Sequence, residues 1–259
     1  MKTRHWLILI IALAAILRFY GLSRGDTVND EVFYGFRAIG PMDFDEAADQ
    51  TTPWEWTDPN IPSWARLSFH DHPPLVFWIQ HFSILILGEN NFALRFPSAL
   101  LGVISVYLLY LIGKKLYSES AGLMGAALMA ATLNSVYISR TGMQEPYVIF
   151  FMLLSLYLFL RALEKENYLI WLGVALGLGF LTKYNLFILA PIFLTYLLFF
   201  RRDYFLNKKL WLGAILALVI FSPVIIYNLK LYQTVGHFDF QFSYIFKQGP
   251  EVWGVAPGK

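Results

Sequence analysis

Six short stretches of the chain carry side chains able to do chemistry. Asp30-Glu31 offers two adjacent carboxylates, and a carboxylate placed near a hydroxyl can act as its general base. The same acids would also stabilise the positive end of a helix dipole without any catalytic part. Phe69-His70-Asp71-His72-Pro73-Pro74-Leu75 holds His and Asp just ahead of two prolines, which fix an extended entry to a helix. Asp71 with His70 or His72 has metal-ligand chemistry, although the spacing matches no metal motif. Arg140-Thr141-Gly142-Met143-Gln144-Glu145-Pro146 joins two apolar runs: Pro146 fits the first turn of a helix and Glu145 its cap region, and Arg140 is either an anchor or an anion contact. Lys183 lies in Leu181-Thr182-Lys183-Tyr184-Asn185 between two apolar runs with no room for a loop, and a charge so flanked is by default a functional-site candidate. Arg95 precedes one apolar run and His237 follows another, each with an alternative account as an interfacial residue.

The elements that must position these groups are membrane helices. Hydrophobic residues make up 57% of the 259 residues and charged ones 15%, below the roughly 25% typical of soluble domains. Leu210–Leu229, Ser120–Ser139, Phe96–Gly113 and Tyr184–Phe200 contain no charged side chain, and a membrane crossing needs about 20 mainly apolar residues. Crossings are predicted at 6–22, 97–116, 120–138, 146–163, 168–182, 184–200 and 210–228. With these seven, Lys2 and Arg4, Lys114 and Lys115, Arg161 and Lys165, and Arg201 to Lys209 all fall on one side, which the positive-inside rule makes cytoplasmic. An eighth crossing at 73–88 would place the strongest basic cluster outside, so that segment is expected to be interfacial or re-entrant. The Met1–Arg4 start with its apolar run is read as a retained anchor.

This topology places the 23–96 loop, the 139–145 turn, Lys183 and the tail from Tyr232 on the outer face, where nearly all the chemically able residues then lie. The 43–71 stretch, rich in Trp, Pro and acids, suits amphipathic helices at the headgroup level. A net charge of +2 with dispersed basic residues excludes nucleic acid as the expected partner. With no Cys, a metal site would have to use Asp, Glu or His; no cofactor is certain, and a divalent metal stays open. No internal repeat stands out, which weighs against a transporter built from inverted repeats.

The order of motifs, an acidic pair after the first span, His-Pro-Pro-Leu, Leu94-Arg95-Phe96-Pro97-Ser98, Arg140 with Glu145, and Leu181-Thr182-Lys183, resembles the protein O-mannosyltransferase and aminoarabinose transferase superfamily of GT-C glycosyltransferases. The resemblance covers residues 5–240 and implies an all-α, multi-span membrane enzyme. Such an enzyme transfers a sugar, with inversion, from a polyprenyl-phosphate donor to an acceptor hydroxyl at the outer membrane face. It implies Asp30 as base with Glu31 beside it, Glu145 as a further acid where many relatives carry Asp, and Arg95, Arg140 and Lys183 as donor-phosphate contacts. Asp71, His72 and His237 remain as substrate or metal candidates, His72 standing where some relatives carry Lys. Members usually have more spans, so residues 1–259 are expected to be the N-terminal part of one such domain. A transporter and an inactive scaffold homologue are the competing readings.

Overall fold

A computed structural model describes residues 2–28, 30–39 and 72–248. The 43–71 segment, with its expected interfacial helices, His70 and Asp71 lie outside the described residues. The described part is all helical: α1 (Lys2–Phe19), α2 (Asp30–Ile39), α3 (Leu75–Leu87), α4 (Asn91–Leu116), α5 (Glu119–Ala131), α6 (Leu133–Ser139), α7 (Glu145–Ala162), α8 (Tyr168–Phe180), α9 (Leu189–Phe200), α10 (Lys208–Val235) and α11 (Phe240–Ile245). Short 3-10 turns at Tyr184–Ile188 and Arg202–Leu206 flank α9.

Helix lengths bear out part of the expected count of seven crossings. Among the described residues, three helices are long and apolar enough to cross a membrane, Asn91–Leu116, Glu145–Ala162 and Lys208–Lys230, and a fourth crossing results if the bent pair α5 and α6 counts as one. The run expected as a single span at 120–138 breaks at Thr132 and bends by 63°. α8 has 13 residues, short of the roughly 17–25 that a straight crossing takes, whereas α9 with the 3-10 turn before it makes one apolar helix over Tyr184–Phe200, the bounds expected from the sequence. α1 begins early enough to include Lys2 and Arg4 and also carries Arg18, three charges within one apolar run. α3, the predicted interfacial or re-entrant segment, is a helix of 13 residues. Exposed apolar side chains such as Ile8, Leu9, Ile16, Phe199, Phe200, Leu218 and Val219 form the surface that faces lipid.

Backbone groups freed by proline are answered locally, as a low-dielectric solvent demands. Pro97 in α4 leaves the Ala93 carbonyl without its helical donor, and Ser83 of α3 supplies a hydroxyl at 2.6 Å. Pro223 in α10 does the same to Val219, whose carbonyl accepts from Ser222 at 2.7 Å. At the α5–α6 break, Thr132 donates to the Leu128 carbonyl, and Arg18 reaches from α1 to the carbonyls of Met129 and Ala130, each at 3.1 Å. Arg18 is fully buried and also donates to the Ser135 hydroxyl at 2.8 Å. α8 and α10 pack most closely, because Gly173 and Gly213 face each other where a Cβ would run into the opposite backbone.

The basic turns gather at one end of the bundle. Lys115 pairs with Glu164, Lys209 with Glu166 at 3.8 Å, and Arg201 donates to the Leu163 carbonyl. The hydrogen bonds from Arg201 hold the Asp203 carboxyl below the ordinary aspartate range. In α4, Arg95 and Lys115 stand 20 residues apart, so the two ends of the bundle are separated by about 30 Å at 1.5 Å rise per residue. The Arg95 end carries the acidic pair, the 140–145 turn and Lys183.

Candidate functional site

Glu31, in the first turn of α2, is fully buried, and its carboxylate accepts four hydrogen bonds. Arg95 donates to both oxygens, Nε to Oε1 at 2.6 Å and one terminal nitrogen to Oε2 at 3.0 Å. The Gly142 N–H adds a third bond at 2.7 Å and the Val28 N–H a fourth at 3.1 Å. The remaining Arg95 donors go to the carbonyls of Leu22, Arg24 and Asp26 at 2.8–3.2 Å, so all of its capacity lies within the protein. This ion pair therefore ties the segment after α1, the start of α2, α4 and the 140–145 turn to one another. A bidentate Arg–carboxylate pair suits that task because its geometry is fixed in both distance and plane.

Gly142 is held from both sides. Its carbonyl accepts from Gln80 of α3 at 2.6 Å while its N–H serves Glu31. A Cβ there would lie 2.8 Å from Leu94 Cγ and 3.3 Å from both Gln80 Nε2 and Glu31 Cγ, so the close approach requires glycine. Arg140, two residues earlier, caps α1: its guanidinium donates to the carbonyls of Leu17 and Tyr20 at 2.8 Å and of Arg18 and Gly21 at 3.3 Å. A cation over the last carbonyls of a helix is favoured by its dipole.

Three residues beyond Gly142, Glu145 begins α7 and accepts from Lys183 at 2.8 Å. The two side chains are 28% and 35% exposed, respectively for Lys183 and Glu145, so the pair sits at the edge of the packed bundle, within reach of a ligand. Lys183 has extended backbone at the N-cap of the 184–188 turn. The turn is braced by Thr182 donating to the Gly179 carbonyl and by the Leu75 N–H donating to the Leu181 carbonyl at 3.0 Å, which joins the entry of α3 to the exit of α8.

Asp30, adjacent to Glu31, is exposed at the start of α2 and makes no hydrogen bond or ion pair among the described residues. One carboxylate of the acidic pair is thus locked and the other is presented. A cavity of about 360 Å³ runs along α2, lined by Thr27, Glu31, Gly35, Ile84, Asn91 and Leu94 among others. His72 stands before α3 with its ring edge-on to Tyr34 at 5.7 Å. His237 is buried in the turn after α10, with Nδ1 2.9 Å from the Phe238 carbonyl. Among the described residues no three His, Asp or Glu side chains gather around a point that could hold a metal, and Asp71 lies outside them.

Residues 71–227 match the family model described as dolichyl-phosphate-mannose-protein mannosyltransferase. The chain belongs to this family. Within the wider GT-C superfamily, this mannosyltransferase-family chain is related to the protein O-mannosyltransferase and aminoarabinose transferase types of polyprenyl-phosphate sugar transferase. It is 31% identical over 238 residues to Bacillus subtilis YkcB, a protein named as a candidate mannosyltransferase, covering 86% of this chain and 31% of the relative. Its fold matches that of ArnT from Cupriavidus metallidurans bound to undecaprenyl phosphate, with a TM-score of 0.67, 21% identity and coverage of 94% of this chain and 44% of the other. It also matches the Saccharomyces cerevisiae protein O-mannosyltransferase Pmt1-Pmt2 complex bound to the sugar donor, with a TM-score of 0.63 at 21% identity over 91% of this chain and 34% of that one. The chain spans about a third of the length of the curated relatives it matches.

Sequence reasoning singled out Glu31, Arg95, Arg140, Glu145 and Lys183 but not Arg18, Gln80 or Gly142. A charge within the apolar run of α1 was the available signal for Arg18. Gln80 and Gly142 gave none, because their importance lies in a contact between α3 and a turn 62 residues away.

Proposed function

We propose that the protein to which this chain belongs transfers a sugar from a polyprenyl-phosphate donor to an acceptor hydroxyl at the outer face of the membrane, with inversion at the anomeric carbon. In this reading residues 1–259 are the N-terminal part of a single GT-C domain, with residues 23–96 as its first outer loop and the N-terminus in the cytoplasm. The chain crosses the bilayer seven times, the shorter helices α8 and α9 included, while α3 lies at the interface. The donor lipid is the membrane-bound partner, and the acceptor is protein, lipid or glycan.

The observation that carries the proposal is the division of labour at one end of the bundle. Glu31 is locked by Arg95, its neighbour Asp30 is exposed and has no partner among the described residues, and the turn that Glu31 grips delivers Glu145 to Lys183. Asp30 would take the proton from the acceptor hydroxyl as the oxygen attacks the anomeric carbon, and the bond from that carbon to the phosphate oxygen would break with its electron pair leaving on the phosphate. The phosphate gains negative charge in that step, and a preorganised cation stabilises it most where water is scarce. Lys183 has three donors, of which Glu145 takes one in this structure, so two can face phosphate.

Arg95 and Arg140 act at one remove in this proposal. Their donors go to Glu31 and to the carbonyls around the end of α1, so they fix the site's frame in place of the phosphate contact implied by the family resemblance. No step is routed through His72, His237 or a metal.

The test is transfer of labelled sugar from polyprenyl-phosphate donors by the full-length protein in membranes. Asp30→Asn should lower the transfer rate by about 10²–10⁴ while leaving donor binding intact, and Lys183→Ala should weaken both. Transfer that survives Asp30→Asn at the wild-type rate would remove the base from Asp30 and with it the proposal's central assignment.

A further inference from the structure

Beyond Lys183 the chain runs into Tyr184, whose hydroxyl donates to Asp239 at 2.9 Å. Asp239 is fully buried, and three neutral donors reach its carboxylate. Oδ2 receives Tyr184 and the Asn228 amide at 3.0 Å, and Oδ1 receives the Phe242 N–H at 2.9 Å. The Asp239 N–H in turn donates to Asn228 Oδ1 at 2.8 Å, so Asn228 and Asp239 clasp each other through two bonds. Ser243 closes the set by donating to the Asp239 carbonyl.

This network spans three separate elements: the 184–188 turn, α10 through Asn228, and α11 through Phe242 and Ser243. The Tyr184 ring is packed as tightly as its hydroxyl is bonded, stacked on Phe187 at 5.8 Å and tilted against Phe242 at 4.8 Å. Rings and hydroxyl together leave Tyr184 one place to be. Its backbone neighbour is Lys183, whose other flank is fixed by the Thr182 hydroxyl bond to Gly179 and the Leu75 bond to Leu181.

A buried carboxylate is costly unless its hydrogen bonds are made within the fold. Asp239 is also the N-cap of α11, where its Oδ1 accepts from the Phe242 N–H. The acceptor-only chemistry of aspartate is what orients a tyrosine hydroxyl and two N–H groups at once.

From this we propose that Asp239 and Tyr184 are positioning residues for Lys183, setting where its ammonium group meets the phosphate of the lipid donor. The inference rests on the reading of Lys183 as a phosphate contact. Asp239 holds Tyr184, Tyr184 sets the backbone of the turn, and Lys183 reaches from that turn to Glu145 and to the ligand. α11 and the end of α10 thereby become part of the donor site without touching the donor.

The experiment measures binding of a short-chain polyprenyl phosphate, and of the matching prenyl alcohol, to the full-length protein carrying Tyr184→Phe, Lys183→Met or both. Tyr184→Phe keeps the ring and its stacking, and Asp239→Asn serves as the second probe of the same bond. Tyr184→Phe is expected to weaken binding of the phosphate about fivefold, in the range of coupling between residues of one hydrogen-bonded network. It should leave binding of the alcohol unchanged, and its effect on the phosphate should vanish in the Lys183→Met background. A loss of the same size in both backgrounds, or for phosphate and alcohol alike, would mean that Tyr184 acts through general packing, overturning the inference and leaving the function proposed above intact. If Lys183→Met itself leaves phosphate binding at the wild-type level, Lys183 is not the phosphate contact and both readings fall together.

Discussion

Replacing Glu31 by Gln changes one oxygen into an NH₂ group, and the structure makes that small change severe. Oε1 accepts from Arg95 and Gly142, and Oε2 accepts from Arg95 and Val28. Whichever oxygen becomes nitrogen, it would direct donors at two further donors. Arg95 would at the same time lose its counter-charge while remaining 6% exposed. Removing one partner of a buried pair costs about 3–5 kcal/mol, mostly as the penalty for leaving the other charge uncompensated. The expected result for Glu31→Gln is therefore a loss of about 3–5 kcal/mol in unfolding free energy, measured by denaturant titration of the full-length protein in detergent micelles. Sugar transfer should also fall, because the Glu31–Gly142 bond places the turn that carries Glu145. Glu31→Asp retains the charge, but its shorter arm cannot reach Arg95 and Gly142 together, so an intermediate loss is expected. If Glu31→Gln unfolds at the wild-type denaturant concentration, the four-bond lock is not what holds this end of the bundle and the reasoning fails.

Three more outcomes follow from the same geometry. Gly142→Ala should destabilise by about 1–3 kcal/mol, the usual cost of overpacking, because its Cβ would sit 2.8 Å from Leu94 Cγ; a thermal melt unchanged from wild type would show that the turn has slack. Arg18→Met should lower stability by leaving the Met129 and Ala130 carbonyls at the α5–α6 break without donors, roughly 1–3 kcal/mol for each buried group left unsatisfied. Arg18→Lys, with a single donor atom in place of the guanidinium fork, should recover only part of the loss in the same melt. Labelling of single Cys substitutions, read against the unsubstituted full-length protein, reports sidedness: Glu89→Cys should react with an impermeant maleimide from outside intact cells, and Glu166→Cys only after the membrane is opened. Labelling of both from outside would refute the proposed orientation.

The sequence by itself determined that the protein is helical and lives in lipid, since long uncharged runs leave a backbone no other way to satisfy its hydrogen bonds. It also determined which residues are chemically able, because a charge such as Lys183 between apolar runs, or two acids after a span, carries its cost on its face. The motif order was enough to reach the superfamily. Span lengths were less legible: hydropathy sees 120–138 as one run, whereas Thr132 breaks it, and the buried Arg18 that answers the freed carbonyls comes from 112 residues earlier for Ala130. Tertiary structure alone decided which partners these side chains hold. Asp30 and Glu31 are equivalent acids in a sequence, and only the approach of Arg95 and the Gly142 N–H makes one a lock and leaves the other exposed. Arg95, Arg140 and Lys183 are likewise three cations on paper. In the fold, one is saturated by Glu31 and backbone carbonyls, one caps a helix, and one is braced beside Glu145 with donors to spare. The physical reason is that hydrogen-bond capacity is spent on whichever partners the fold brings within about 3 Å, and no spacing along the chain records those distances.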